Sequence, residues 1–206
     1  VLSVNLYAPV ATVCNGNGVR RTGDYPVGDG ASVRIAAKRE GKVRFRRPKS
    51  FDSMAVNGVR VDGEWFVAEL PRGESVFELS FARTPKIVRA DAEAEADPRS
   101  DGFETVYETP EMRGRARVKR GVRVLYGPLI LAKSRYAGTA ERDIFTDRIG
   151  TGAGWSVSAE RRENALVHGA WRLTFRNGES VFACDVCDFA SAADSSADAS
   201  HFSIWF

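Results

Sequence analysis

Hydrophobic and polar residues alternate with a period of two along most of the chain. The alternation is plain in "LSVNLYAPV" (2–10), "ASVRIAAK" (31–38), "GKVRFRRP" (41–48), "EWFVAELP" (64–71), "SVFELSFA" (75–82) and "RGVRVLYG" (120–127), and again in "AWRLTFRNG" (170–178) and "ESVFACDV" (179–186). Successive side chains of a strand point to opposite faces, so this pattern predicts strands with one buried and one wetter face. Asn57-Gly58, Asp62-Gly63 and Asn177-Gly178 stand between such runs, and these dipeptides suit tight hairpin turns because Asn, Asp and Gly tolerate positive φ. Trp171, Leu173 and Phe175 alternate before Asn177-Gly178, and Val181 and Ala183 resume after it, which makes this the clearest hairpin in the chain.

Two stretches break the pattern. Arg89 to Glu104 is acidic, rich in Ala and interrupted by Asp97-Pro98, and reads as a helical turn or a solvated loop. Ala190 to Ser200 is small and polar, and reads as an exposed loop before a last strand, "HFSIWF". Many short strands separated by turns predict an all-β protein of one or two packed antiparallel β-sandwich domains. The pattern fades in "SRYAGTAERD" (134–143), which divides the chain into a sandwich over 1–135 and a second, smaller β-rich unit over 136–206 that completes or packs on the first.

Composition changes this picture little. The 206 residues are 43% hydrophobic and 28% charged, as in ordinary globular proteins. No apolar run nears the roughly 18 residues a membrane-spanning helix needs, so no membrane partner is expected. The chain starts at Val1 without an initiator Met or a basic-then-apolar signal region, so either its true start has been removed or it is a piece of something longer. Its net charge of +3 is unevenly spread: residues 1–50 hold ten Lys/Arg against three acids, whereas from Asn177 onward there are five acids and no Lys or Arg. These two parts are as well suited to meet each other as to meet an outside partner.

The candidate chemistry is sparse. Cys184 and Cys187 have the C-x-x-C spacing of zinc and redox sites. On a strand, residues three apart face opposite ways, and the further pool of Cys14, His168 and His201 has no paired spacing. The two are therefore expected to be reduced, metal-free strand cysteines. Arg113, Arg115, Arg117 and Lys119 share one strand face, which suits a phosphate stripe or, better, the solvated face of an edge strand, since no aromatic residues interleave. No nucleic-acid partner is expected. "GTGAG" (150–154) lacks a following Lys-Ser/Thr and reads as a flexible connector. Trp65, Trp155, Trp171 and Trp205 are either core residues or sugar-stacking platforms. The sequence nominates no catalytic, cofactor-binding or metal-ligating residue.

Seven segments in order, "VNLYAP" (4–9), "TGDYP" (22–26), "VRFRRP" (43–48), "VNG" (56–58), "SVFELSF" (75–81), "PKIVRA" (85–90) and "LYGPLILAK" (125–133), together resemble the C-terminal β-rich region of the β-L-arabinofuranosidase-type glycoside hydrolases. The terminal "DFASA…FSIWF" is similar to endings in that group. The resemblance implies β-sandwich domains that follow an (α/α)6 barrel, with the catalytic cysteine and the zinc ligands, three Cys and a Glu, in that barrel and upstream of Val4. It implies a non-catalytic supporting role, no cofactor in this chain, and the barrel of the same polypeptide as the partner. The sequence departs from the family at "RRPKSF" and at Tyr126-Gly127-Pro128, which marks a distant subgroup. The alternative reading is a carbohydrate-binding module that uses exposed aromatics.

Overall fold

The computed structural model describes residues 1–5, 7–89, 122–138, 149, 152–194, 202–204 and 206. The basic stripe at 113–119, the acidic segment after Arg89, His201 and Trp205 lie outside the described residues. The fold is all-β, as the alternation predicts. It forms two compact units, Val1–Thr84 with Tyr126–Leu129, and Pro85–Leu125 with Ile130–Phe206.

The first unit is a sandwich. One sheet has the order β2(Val10–Cys14), β3(Asn17–Gly23), β4(Gly30–Ala37), β9(Gly73–Ala82), β6(Ser53–Val56), β7(Val59–Arg60); the other has the order β1(Leu2–Val4), β5(Gly41–Arg46), β8(Trp65–Leu70). Buried Val33 and Ile35 of β4 and Phe77, Leu79 and Phe81 of β9 share one core with Val43 and Phe45 of β5 and Leu2 and Val4 of β1. Their positions are two apart along each strand, so the sequence alternation becomes the inner face of each sheet. The sandwich is not wholly antiparallel, because β1 runs parallel to β5 with Leu2 opposite Val43.

Tight turns join the strands where Asn-Gly occurs. Asn57 and Gly58 have φ of 50° and 80° in the two-residue link from β6 to β7, and the Asn57 side chain accepts a 2.7 Å hydrogen bond from the Glu78 amide. Asn15-Gly16 forms the same kind of link between β2 and β3, with φ of 50° and 79°. Asp62-Gly63 is different: it lies on the passage from β7 to β8, which belong to different sheets, and so closes no hairpin.

The second unit holds a sheet of order β10(Pro85–Arg89), β11(Val122–Tyr126), β12(Leu129–Ser134), β15(Ser180–Asp188), β14(Ala170–Asn177), β13(Ser156–Arg162), with β16(Phe202–Ser203) paired to β12. Leu173 faces Cys184 and Trp171 faces Val186 across the β14–β15 hairpin. The two end strands, β10 and β13, lie against one another, so this sheet curls back toward itself. The compact units change over at Thr84 and Pro85. β12 hydrogen-bonds to β15, more than fifty residues later, and local alternation carries no record of such a pairing.

The stretch expected as a loop from Ala190 begins instead within a short helix, α1(Phe189–Asp194), and residues 195–200 lie outside the described residues. Asp188 caps it: its carboxylate accepts bonds from the Ser191 amide at 2.9 Å and the Ser191 hydroxyl at 2.6 Å. No helix among the described residues is long and apolar enough to cross a membrane.

Candidate functional site

The C-x-x-C pair does not form one site. Neither cysteine forms a disulfide, and both are buried on β15. Cys184 lies opposite Leu173, whereas Cys187 lies opposite Ala170 and Ala132 and packs with Val167 and Ala192. The odd spacing puts them on opposite faces of the sheet. Burial, and next the neighbouring Asp188 carboxylate, push the Cys187 thiol from its ordinary value of 9.0 up to about 12. Tyr7, in the first unit, is raised well above its ordinary value by burial, while its hydroxyl donates to the Arg46 carbonyl at 2.6 Å.

Both groups stay protonated in the folded chain at a pH where the unfolded chain releases the proton. Their contribution to stability is therefore complete below about pH 9 and declines as pH climbs toward the folded values. Thermal melts from about pH 8 to about pH 11 are expected to show a falling midpoint, and a flat midpoint would contradict the assignment. Under native conditions Ellman's reagent is expected to modify exposed Cys14 quickly, and Cys184 and Cys187 only on unfolding.

The Trp residues divide by environment. Trp171 is 1% exposed and lies beneath the Arg161 guanidinium, whose carbon is 5.0 Å from the ring centroid. Trp65, half-buried on the outer face of the β1-β5-β8 sheet, has Arg44 stacked 4.3 Å above its ring, and Arg44 is held there by a 2.7 Å hydrogen bond to Ser3. Arg46 pairs with Glu64 beside it. The guanidinium occupies the ring face that a sugar would need.

Trp155 lines a groove. In the second unit Pro85, Lys86, Ile87 and Arg89 form one wall and Gly152, Ala153, Trp155, Ser156 and Val157 the other, around about 520 Å³. This is where the ends of the curled sheet meet. The loop carrying Trp155 is shaped by contacts, in contrast to the flexible connector expected from "GTGAG". The Gly152 amide donates to Ile149 at 3.1 Å and the Trp155 amide to Gly152 at 3.2 Å, closing a turn. Gly152 has φ of 73°, and a Cβ there would lie 2.8 Å from Ile87 and 2.9 Å from Val122. Only glycine fits so tight an approach with that backbone. The Asn177 amide group donates to the Ala153 carbonyl at 3.4 Å from the β14 side. The pattern missed this groove because its two walls are some sixty residues apart in sequence.

A second constellation organises the first unit. The Arg83 side chain is 2% exposed; it donates to the Pro26 carbonyl at 2.6 Å and to the Val27 carbonyl, and pairs with Asp29 at 2.9 Å. Tyr126 stacks on its guanidinium at 4.3 Å. Around it Tyr7, Tyr25, Phe51 and Phe81 pack edge-on or tilted, with centroids 4.7 to 6.0 Å apart. The segments "TGDYP" and "LYGP" thus meet at one buried arginine.

The sequence matches no protein-family model and no curated protein sequence. Solved structures do match. A GH127 β-L-arabinofuranosidase from Geobacillus stearothermophilus T6 aligns over 98% of this chain with 14% identity and a TM-score of 0.52. A protein described as a glycoside hydrolase aligns over 99% with 14% identity and a TM-score of 0.59, and a second GH127 β-arabinofuranosidase over 99% with 13% identity and a TM-score of 0.54. The chain has the fold of part of these glycoside hydrolases. It spans 33%, 35% and 34% of their respective lengths, and so corresponds to about a third of each. Among the described residues no group of three or more His, Cys, Asp or Glu is placed to hold a metal ion.

Proposed function

We propose that this chain is the non-catalytic β-sandwich region of a glycoside hydrolase similar to the β-L-arabinofuranosidases, supporting an (α/α)6 catalytic barrel of the same polypeptide. One observation carries this reading: the fold likeness covers nearly the whole of this chain but only about a third of each enzyme it resembles. The separation of Cys184 and Cys187 onto opposite faces agrees with it, since the catalytic and zinc-binding cysteines that the resemblance implies belong to the barrel. The chain's own contribution is mechanical. Each unit has its own buried core, and the first is pinned from within by Arg83, so each offers an ordered surface on which a neighbouring domain can rest.

The test is turnover of aryl β-L-arabinofuranosides by this chain alone and by the full polypeptide. The expected result is hydrolysis by the full polypeptide and none above the buffer blank by the chain. Robust hydrolysis by the chain alone would overturn the proposal.

A further inference from the structure

The groove between β10 and β13 is an open cleft with a mixed apolar and polar lining. Its volume of about 520 Å³ lies within the usual range for small-molecule sites. Its lining combines the Trp155 ring and the apolar Ile87 and Val157 with Arg89, which is two positions from Ile87 and so shares its face of β10; Lys86 and Ser156 reach the cleft from the opposite strand faces, and the Ser156 hydroxyl donates to the Arg176 carbonyl at 3.3 Å. β10 and β13 each have one ladder neighbour among the described residues, so their outer edges add backbone polar groups along the same cleft. The turn leading into Trp155 is packed at Gly152 against Ile87 and Val122 and bonded at Ala153 by Asn177, so its backbone is in place before any ligand arrives.

We propose that this groove binds a saccharide of one or two sugar rings. A sugar has an apolar ring face, which suits the indole, and a rim of hydroxyls, which suits Arg89 and the strand edges. The cleft is open to solvent. A wholly apolar ligand would leave its outer face in water there, whereas a sugar keeps its outward hydroxyls hydrated. The inference stands on the groove and does not depend on the supporting role proposed above.

The experiment is an NMR titration of the chain with L-arabinose, D-galactose and D-galacturonic acid in turn, each to tens-of-millimolar concentration. Saturable shifts are expected at the Trp155 indole N–H and at the Ile87 and Val157 amides. Trp155→Leu, which keeps apolar bulk but removes the aromatic face, should weaken binding roughly tenfold or more, and Trp155→Phe much less. Response to the neutral sugars supports recognition through hydroxyls. Response to galacturonate alone supports the same site and assigns Arg89 to its carboxylate. Absence of saturable shifts with all three sugars, shifts confined to other parts of the chain, or unchanged binding by Trp155→Leu overturns the proposal.

Discussion

Replacing Arg83 with methionine is expected to destabilise the first unit by about 3 kcal/mol, since hydrogen bonds from a charged donor to carbonyls are each worth roughly 1.5–3 kcal/mol and two are lost together. The side chain sits almost wholly out of water and satisfies the carbonyls of Pro26 and Val27, which methionine leaves unpartnered by it. The stacking on Tyr126 goes as well. The ion pair to Asp29 adds little, because that carboxylate's side chain is 64% exposed and its interaction is screened. Asp29→Asn should therefore lie within about 1 kcal/mol of the parent protein. Arg83→Lys should fall between, since it keeps the charge but not the fork that reaches two carbonyls at once. Urea unfolding of the three variants checks this order. A loss below about 1 kcal/mol for Arg83→Met would show that the loop carrying Pro26 and Val27 stands without its anchor.

Trp171→Ala is expected to destabilise the second unit by about 3–5 kcal/mol, the usual range for removing a large aromatic side chain from a core. Trp171 is 1% exposed, lies opposite Val186, and shares the inner face of the sheet with buried Leu173 and Phe175. Trp65→Ala is expected to cost about 1 kcal/mol or less, because that ring is half-buried on an outer sheet face and its main partner is one arginine. Hydrogen exchange at the amides of β14 and β15, measured in both variants, separates the two outcomes. Loss of protection there for Trp171→Ala alone is the expected result; equal and small effects would mean that Trp171 is no part of the core.

These two predictions draw on different kinds of information. The inward position of Trp171 is legible in the chain, because Trp171, Leu173 and Phe175 alternate with Arg172, Thr174 and Arg176. The importance of Arg83 is not. It stands in "FARTPK" as one arginine among many, and the carbonyls it holds are more than fifty residues earlier. The Asn15-Gly16 hairpin carried the same local signal as Asn57-Gly58 and was readable in principle. Asp62-Gly63 carried that signal too, but the strands around it join different sheets, so the signal did not produce a hairpin.

Local geometry determined what the sequence alone could settle: an all-β chain, the inner faces of strands such as β4 and β9, and the opposed directions of Cys184 and Cys187. Each follows from a two-residue period that any strand obeys whatever its neighbours. The parallel pairing of β1 with β5, the change of unit at Thr84, the burial of Arg83 and the groove that joins Lys86 and Ile87 to Trp155 and Val157 were decided by tertiary structure. They depend on which distant segments meet, and many pairings satisfy the same alternation until a shared core selects one of them.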